Sequence, residues 1–293
     1  MDYKFNAIFK SNNNEIEMNK NTDIKIIDIE GIEASSYTIN TISSEQDGAI
    51  VTSTKIEPRE ITITGDIEKD KNETANRDKL IRFFNPRAIG EFYINRNNIE
   101  RKIQYRVSSL DFATNKLYEY IQFTLVLEST EDPYFEDANN RGNNLTLISP
   151  QFTFPLVIMQ ERKKIMGYKV YKPYMPLVND GDKETGLEIV ITASRGQMKN
   201  IKLTLNDNEY IKVNQTLNQW DVLTINTNPR KKSVTLNGTN IINEIDRNST
   251  FFSIGIGKSI LKYECEDGAT NIDINVKFYR KFLGVWYGFI IIR

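Results

Sequence analysis

Residues 179–186, Asn-Asp-Gly-Asp-Lys-Glu-Thr-Gly, hold the densest alternation of carboxylates that could grip a cation. An EF-hand loop needs acids at positions 1, 3 and 5, glycine at 6 and a bidentate glutamate at 12. Counting from Asp180, Asp182 and Glu184 fall at 3 and 5, but Thr185 stands at 6, Gly186 comes one residue late and Ile191 stands at 12. With neither turn glycine nor closing ligand, the stretch reads as an acidic turn leading into a strand, with Leu187, Ile189 and Ile191 on the buried face. The chain has no histidine and a single cysteine, Cys265. Ser-His-Asp and Cys-His nucleophiles, His-ligated zinc, cysteine-rich metal sites and an internal disulfide are thereby excluded. Acid pairs of the kind that hydrolyse glycosides exist in a chain this rich in carboxylates, yet no aromatic and acidic cluster marks a cleft around one. Gly-Ile-Gly-Lys-Ser-Ile (255–260) lacks the spacing of a phosphate-binding P-loop and lies between strands with no helix to follow. The basic runs at 162–164 and 230–232 are too short to line a nucleic-acid groove. No catalytic, cofactor-binding or metal-ligating residue is expected, and the protein reads as no enzyme. Tyr210 and Trp220 could stack on sugar rings, against the alternative that they are ordinary core aromatics of strands.

Alternation governs the elements that would carry these residues. Ile24, Ile26 and Ile29 alternate with charged residues in 23–34; Ile61, Ile63 and Ile67 do so in 58–70, Ile103, Tyr105 and Val107 in 101–112, and Ile121, Phe123, Leu125 and Leu127 in 117–129. A period of two with β-branched and aromatic residues on one face predicts half-buried strands. One stretch breaks the pattern: 72–86 places Ala75, Lys79, Leu80, Phe83 and Phe84 at helical spacing and stops at Asn85-Pro86. This predicts a helix over about 73–84 whose Leu80–Phe83–Phe84 edge lies on the sheet or, alternatively, contacts a neighbouring subunit. From Leu187 onward, short strands recur about every ten residues with Asn, Asp and Gly between them, as a two-sheet sandwich requires.

A chain of 293 residues with 39% apolar and 26% charged residues suits a soluble protein of two domains. Its net charge of −1 supplies no field for nucleic acid or an anionic membrane. No apolar run approaches the roughly 20 residues of a membrane span, and the opening is too polar for a signal peptide. The final run, Phe-Leu-Gly-Val-Trp-Tyr-Gly-Phe-Ile-Ile-Ile, reads as buried strand. Polar, turn-rich sequence over 129–144 sets the boundary, giving domains 1–145 and 146–293. The basic stretch 160–173 reads as a solvated hairpin or edge protected by its lysines.

Several segments, in order, resemble the distal tail proteins of long-tailed phages and related phage-tail-like particles. They are Ile29 to Ala49 followed by Glu57 to Ile67, then Phe83 to Val107, and Phe123 to Asp137 with its Asp132-Pro133-Tyr134-Phe135 ending. In the second half come 152–157, 179–193, 221–241 and 248–266. The resemblance covers roughly 25–290 and implies a mainly β protein: an N-terminal β-barrel or sandwich-like domain with one inserted helix, then a C-terminal galectin-like β-sandwich. It further implies a structural role in the virion tail, assembled in the host bacterial cytoplasm. The first domains would form a ring, usually a hexamer, against the tail tube protein, and the second would meet the tail-tip hub and receptor-binding proteins. DNA would pass through the channel without specific binding, and no cofactor or membrane insertion is implied. The segments 160–173 and 281–293 extend beyond that family's plain pattern. The competing reading is a protein that binds cell-surface glycan through its second sandwich; a third, a glycan-cleaving enzyme, rests only on the abundance of acids.

Overall fold

The computed structural model describes residues 5–33, 35–43, 47–68, 72–96, 99–113, 121–139, 141–144, 146–150, 167–171 and 173–285. The chain forms two compact units, one from the chain up to Ala138 and from Lys281 on, the other from Asn139 to Arg280. The architecture is mainly β with one α-helix among the described residues, as the sequence periodicity predicts.

The first unit runs β1 (Phe5–Ser11), β2 (Asn14–Met18), β3 (Ile24–Glu30), β4 (Tyr37–Ser43), β5 (Ala49–Ile56), β6 (Arg59–Ile67), α1 (Glu73–Phe83), β7 (Ile89–Arg96), β8 (Ile99–Phe112), β9 (Ile121–Ser129) and β10 (Phe135–Asp137). Its main sheet has the order β2-β1-β7-β8-β9-β6-β3. The two outer strands, β2 and β3, are consecutive in sequence and joined through residues 19–23, so the sheet curls back on itself. The alternating isoleucines and leucines of β6 and β9 point into the curl: Ile61, Ile63, Ile67, Phe123, Leu125 and Leu127 are all buried. Phe9 of β1 stacks on Phe92 of β7 at 4.5 Å, and Phe84, just past α1, meets Phe9 edge-on at 5.3 Å. Leu80 is fully buried in the same cluster, so the helix lies on its own sheet through Leu80 and Phe84.

The second unit comprises β11 (Arg141–Asn144), β12 (Thr146–Pro150), β13 (Gly167–Tyr171), β14 (Tyr174–Asn179), β15 (Glu188–Ala193), β16 (Met198–Leu205), β17 (Glu209–Leu217), β18 (Val222–Asn226), β19 (Ser233–Leu236), β20 (Thr239–Asn240), β21 (Gly257–Asp267) and β22 (Ile272–Phe278). Sheets β11-β22-β15-β18-β19-β20 and β14-β21-β16-β17 bury their inner faces in one shared core, while β12 and β13 pair with each other. Leu187, Ile189 and Ile191 lie in that core with no exposure. The turn 179–186 does not open this sandwich: β14 precedes it, an edge strand the sequence reading missed. Pro176 takes an exposed position in the regular alternation of β14, and its missing N–H is tolerated because Pro173 and its odd-numbered successors carry the ladder to β21. Of the basic stretch 160–173, only 167–171 and 173 fall within the described residues.

The chain's last described segment differs from the expected second-domain strand. β23 (Lys281–Phe282) pairs with β10, putting Phe135 opposite Phe282 on the first unit. A pairing between residues almost 150 positions apart leaves no trace in local periodicity. Arg59, only 4% exposed, holds this return in place. Its Nε donates to Pro133 O at 2.8 Å, while its terminal nitrogens donate to Gly31 O, Ser35 Oγ and Leu283 O. Phe135 lies 4.9 Å beneath the guanidinium. Burial pulls the Arg59 pKa down to about 10, which leaves it charged at neutral pH.

Three substitutions test the packing of the first unit by chemical denaturation. Arg59→Met should destabilise the first unit by about 3 kcal/mol or more, because it strands several buried acceptors at once. Arg59→Lys should recover little of that, since an ammonium cannot reach acceptors spread around a planar fork. Tyr105 has a buried hydroxyl with no partner, and burial pushes its pKa well up. Tyr105→Phe should therefore be neutral or stabilising, by up to ~1 kcal/mol.

Candidate functional site

The candidates for a functional site are the surfaces that the two cores leave uncovered. In the first unit the outstanding one is the hairpin β4–β5, which pairs with no other strand among the described residues. All of β4 and all of β5 except Ile56 are exposed. Tyr37, Ile39, Ile42, Ile50 and Val51 present apolar side chains, each more than half exposed (56% to 63%). The base is anchored: Glu57 N donates to Ser36 O at 2.9 Å, and Ser35 Oγ accepts from Arg59. A lone two-stranded hairpin is marginal in water, and so much apolar surface on one arm marks a contact surface. Sequence reading placed strand and turn here but missed the arm, because period-two alternation does not say whether anything covers the apolar face.

The helix edge behaves differently. Leu80 and Phe84 are buried inside the unit and offer nothing to a neighbour, whereas Phe83 is half-buried and Ile81 is 46% exposed. Any subunit contact by α1 falls to those two.

In the second unit, the acidic turn 179–186 is held by an asparagine. Buried Asn179 donates through Nδ2 to Lys183 O at 2.9 Å and accepts from Gly181 N at 3.1 Å, and Asp180 pairs with Arg280 at 2.6 Å. No cluster of potential metal ligands occurs among the described residues. The late glycine has its own reason: a Cβ on Gly186 would lie 2.5 Å from the Cα of Asn228, so the close approach of that chain requires glycine.

Tyr210 and Trp220 are not brought together. Tyr210 lies near the start of β17 and Trp220 beyond its end, with roughly 23 Å of extended strand between Tyr210 and Leu217 alone. Tyr210 is also engaged: its hydroxyl meets Asp246 Oδ1 at 3.3 Å and Lys202 Nζ sits 4.9 Å from its ring. Trp220 is 68% exposed, at the third position of the turn 218–221 that crosses from β17 to β18. Asp221 N donates to Asn218 O at 3.0 Å, and Trp220 has φ of +75°, which makes this a type II turn with tryptophan where glycine is favoured. Every other non-glycine residue of positive φ among the described residues is Asn or Asp. Hydrogen bonds lock the turn: Trp220 N to Ala193 O at 2.8 Å, Asn218 N to Asp221 Oδ2 at 2.7 Å, Asn237 Nδ2 to Asp221 Oδ1 at 2.8 Å, and Val222 N to Asn237 Oδ1 at 2.9 Å. The Asn237 amide and the Asn218 N–H hold the Asp221 carboxyl below the usual carboxylate range.

Residues 11–129 match the family model of the phage tail protein RIFT-related domain, and residues 180–282 match that of the siphovirus-type tail component, C-terminal domain. The chain belongs to the phage distal tail protein family. The Dit protein of phage SPP1, described as a paradigm of the hub adsorption apparatus in phages infecting Gram-positive bacteria, has the same fold. Its TM-score is 0.67 at 13% identity, over 94% of this chain and 99% of that one. A chain of the phage P2 baseplate in its activated conformation matches at TM-score 0.54 and 9% identity, over 96% of this chain and all of that one. No curated protein sequence matches. As a member of this family the chain is a structural component of the phage tail and resides in the virion. The two matched segments fall one in each unit, so the hairpin β4–β5 belongs to the RIFT-related part and the Trp220 turn to the C-terminal part.

The strained turn gives a test of opposite sign to most tryptophan deletions. A left-handed conformation costs a residue with a Cβ roughly 1–2 kcal/mol, part of which glycine loses again as backbone entropy. Trp220→Gly should therefore unfold no earlier than wild type and gain ~0.5 kcal/mol in a denaturant titration, while Trp220→Ala should show no such gain.

Proposed function

We propose that the chain is a distal tail subunit whose first units close a ring, six copies around a channel that continues the tail tube. The galectin-like second unit serves as the surface for tail-tip and receptor-binding proteins. The observation that carries this reading is the β4–β5 hairpin: an anchored arm with both faces open and five large apolar side chains uncovered. A heterologous contact, in which each hairpin lies on the next copy, buries that surface in every subunit and closes by rotation. Family membership supports the tail role, and the absence of any catalytic constellation in the sequence agrees with a structural one.

Mass photometry of the purified chain, alone and mixed with the tail tube protein of the same particle, tests the ring. The expected species contains six 33.9-kDa chains, and negative-stain images should show a central opening. Ile39→Glu combined with Val51→Glu places two charges on the arm without touching the core, and should weaken assembly at least ~100-fold while leaving the monomer folded. A monomer under both conditions, or a ring indifferent to these charges, would overturn the proposal.

A further inference from the structure

Trp220 is strained, locked and isolated, and those three properties together point to a ligand. The strain persists because hydrogen bonds among Ala193, Asn218, Trp220, Asp221, Val222 and Asn237 over-determine the turn, whose backbone therefore fixes the point from which the indole projects before anything binds. The isolation decides between ligand classes. Among the described residues, the other large apolar side chains exposed on this unit are Tyr174, Val178, Ile256 and Ile260. Val178, Ile256 and Ile260 lie around the start of β21 and Tyr174 opposite its middle at Lys262, whereas Trp220 lies at the end where Asp267 pairs with Lys199. A protein partner is recognised by a contiguous apolar patch with aromatic anchors at its centre, and no such patch surrounds this indole among the described residues.

What does surround it is amide. Asn218 and Gln219 flank it in the turn, Gln197 Nε2 reaches Asn218 Oδ1 at 3.3 Å, and Asn237 braces the turn from the neighbouring hairpin. The one carboxylate of the turn, Asp221, accepts from Asn218 N and Asn237 Nδ2 and is held in its ionised form by them, which disfavours an anionic ligand beside the indole. An exposed indole face next to amides that both donate and accept complements a pyranose: C–H groups on one face of the sugar, hydroxyls around its rim. We propose that Trp220 is the stacking platform of a subsite for an uncharged saccharide at this end of the second unit. The inference does not depend on the ring, since the subsite is complete within one chain.

The chain's two tryptophans make the test direct. In a Trp286→Phe background, Trp220 is the sole indole reporter. Its fluorescence is titrated with neutral pentasaccharides of glucose, galactose, N-acetylglucosamine and N-acetylgalactosamine. The expected result is a saturable blue shift with at least one of them. Isothermal titration of that sugar should show at least ~10-fold weaker binding to Trp220→Ala and Trp220→Gly, with both variants folded. Either of two results would overturn the proposal: no saturable shift with any of these sugars at about 10 mM, or a shift produced by another tail protein and by none of the sugars. Because the Ile39→Glu, Val51→Glu variant leaves the second unit untouched, sugar binding should survive in it, which separates failure of the subsite from failure of the ring.

Discussion

The first unit hangs on a buried guanidinium. Arg59 joins the end of β3, the base of the β4–β5 hairpin, the loop ahead of β10 and the returning end of the chain, all through backbone carbonyls and one serine hydroxyl. A cation taken out of water is costly, and this one is compensated by directional bonds that no other arrangement of those four segments could supply. Around it the return is reinforced by Lys281 on Asp132, by the Arg101 guanidinium 3.1 Å from the centre of the Phe282 ring, and by Val285 N on Ile32 O at 2.8 Å. The Asp132–Phe135 motif thereby acquires a physical role: its carboxylate, a carbonyl and a buried ring are three of the groups to which the return is tied.

That constraint explains how an uncovered hairpin can be tolerated. The strands of the curled sheet bury their apolar faces inside the unit, and the base of β4–β5 is pinned to Arg59 through Ser35. The arm can then leave its isoleucines in water without unravelling the sheet, and burying them waits on an external surface. In the second unit the division is similar. The sandwich core is shared by both sheets, and the functional candidate is confined to a turn at one end, where strain is stored and hydrogen bonds hold it.

Legibility followed the range of the interactions. The helix over about 73–84 and the strands through Ile61–Ile67 and Ile121–Ser129 could be read because a residue's neighbours three, four or two positions away decide them. Gly186 was visible but misplaced for calcium; its purpose lay in Asn228, forty-two positions on. β14 escaped because apolar Tyr174 and Val178 face outward while polar Asn179 is buried, which hides its alternation, and proline in a strand is legible only once the strand is known to be at an edge. Trp220 and Tyr210 looked equivalent in the sequence, each a sugar-stacking candidate or a core aromatic, yet a lysine sits over the Tyr210 ring while Trp220 is exposed in a turn.

By itself the sequence determined the chemistry this protein lacks and the class to which it folds. A chain without histidine and with one cysteine forfeits whole families of catalysis, and a two-residue apolar period commits it to sheets, because both facts depend only on which side chains exist and how they are spaced. The tertiary structure decided where the chain's end returns, which apolar residues stay in water and which turn holds a tryptophan in a glycine's conformation. Those outcomes depend on pairings and coverings between distant residues, and on hydrogen bonds such as those of Arg59 and Asn237 that exist only once the strands have met.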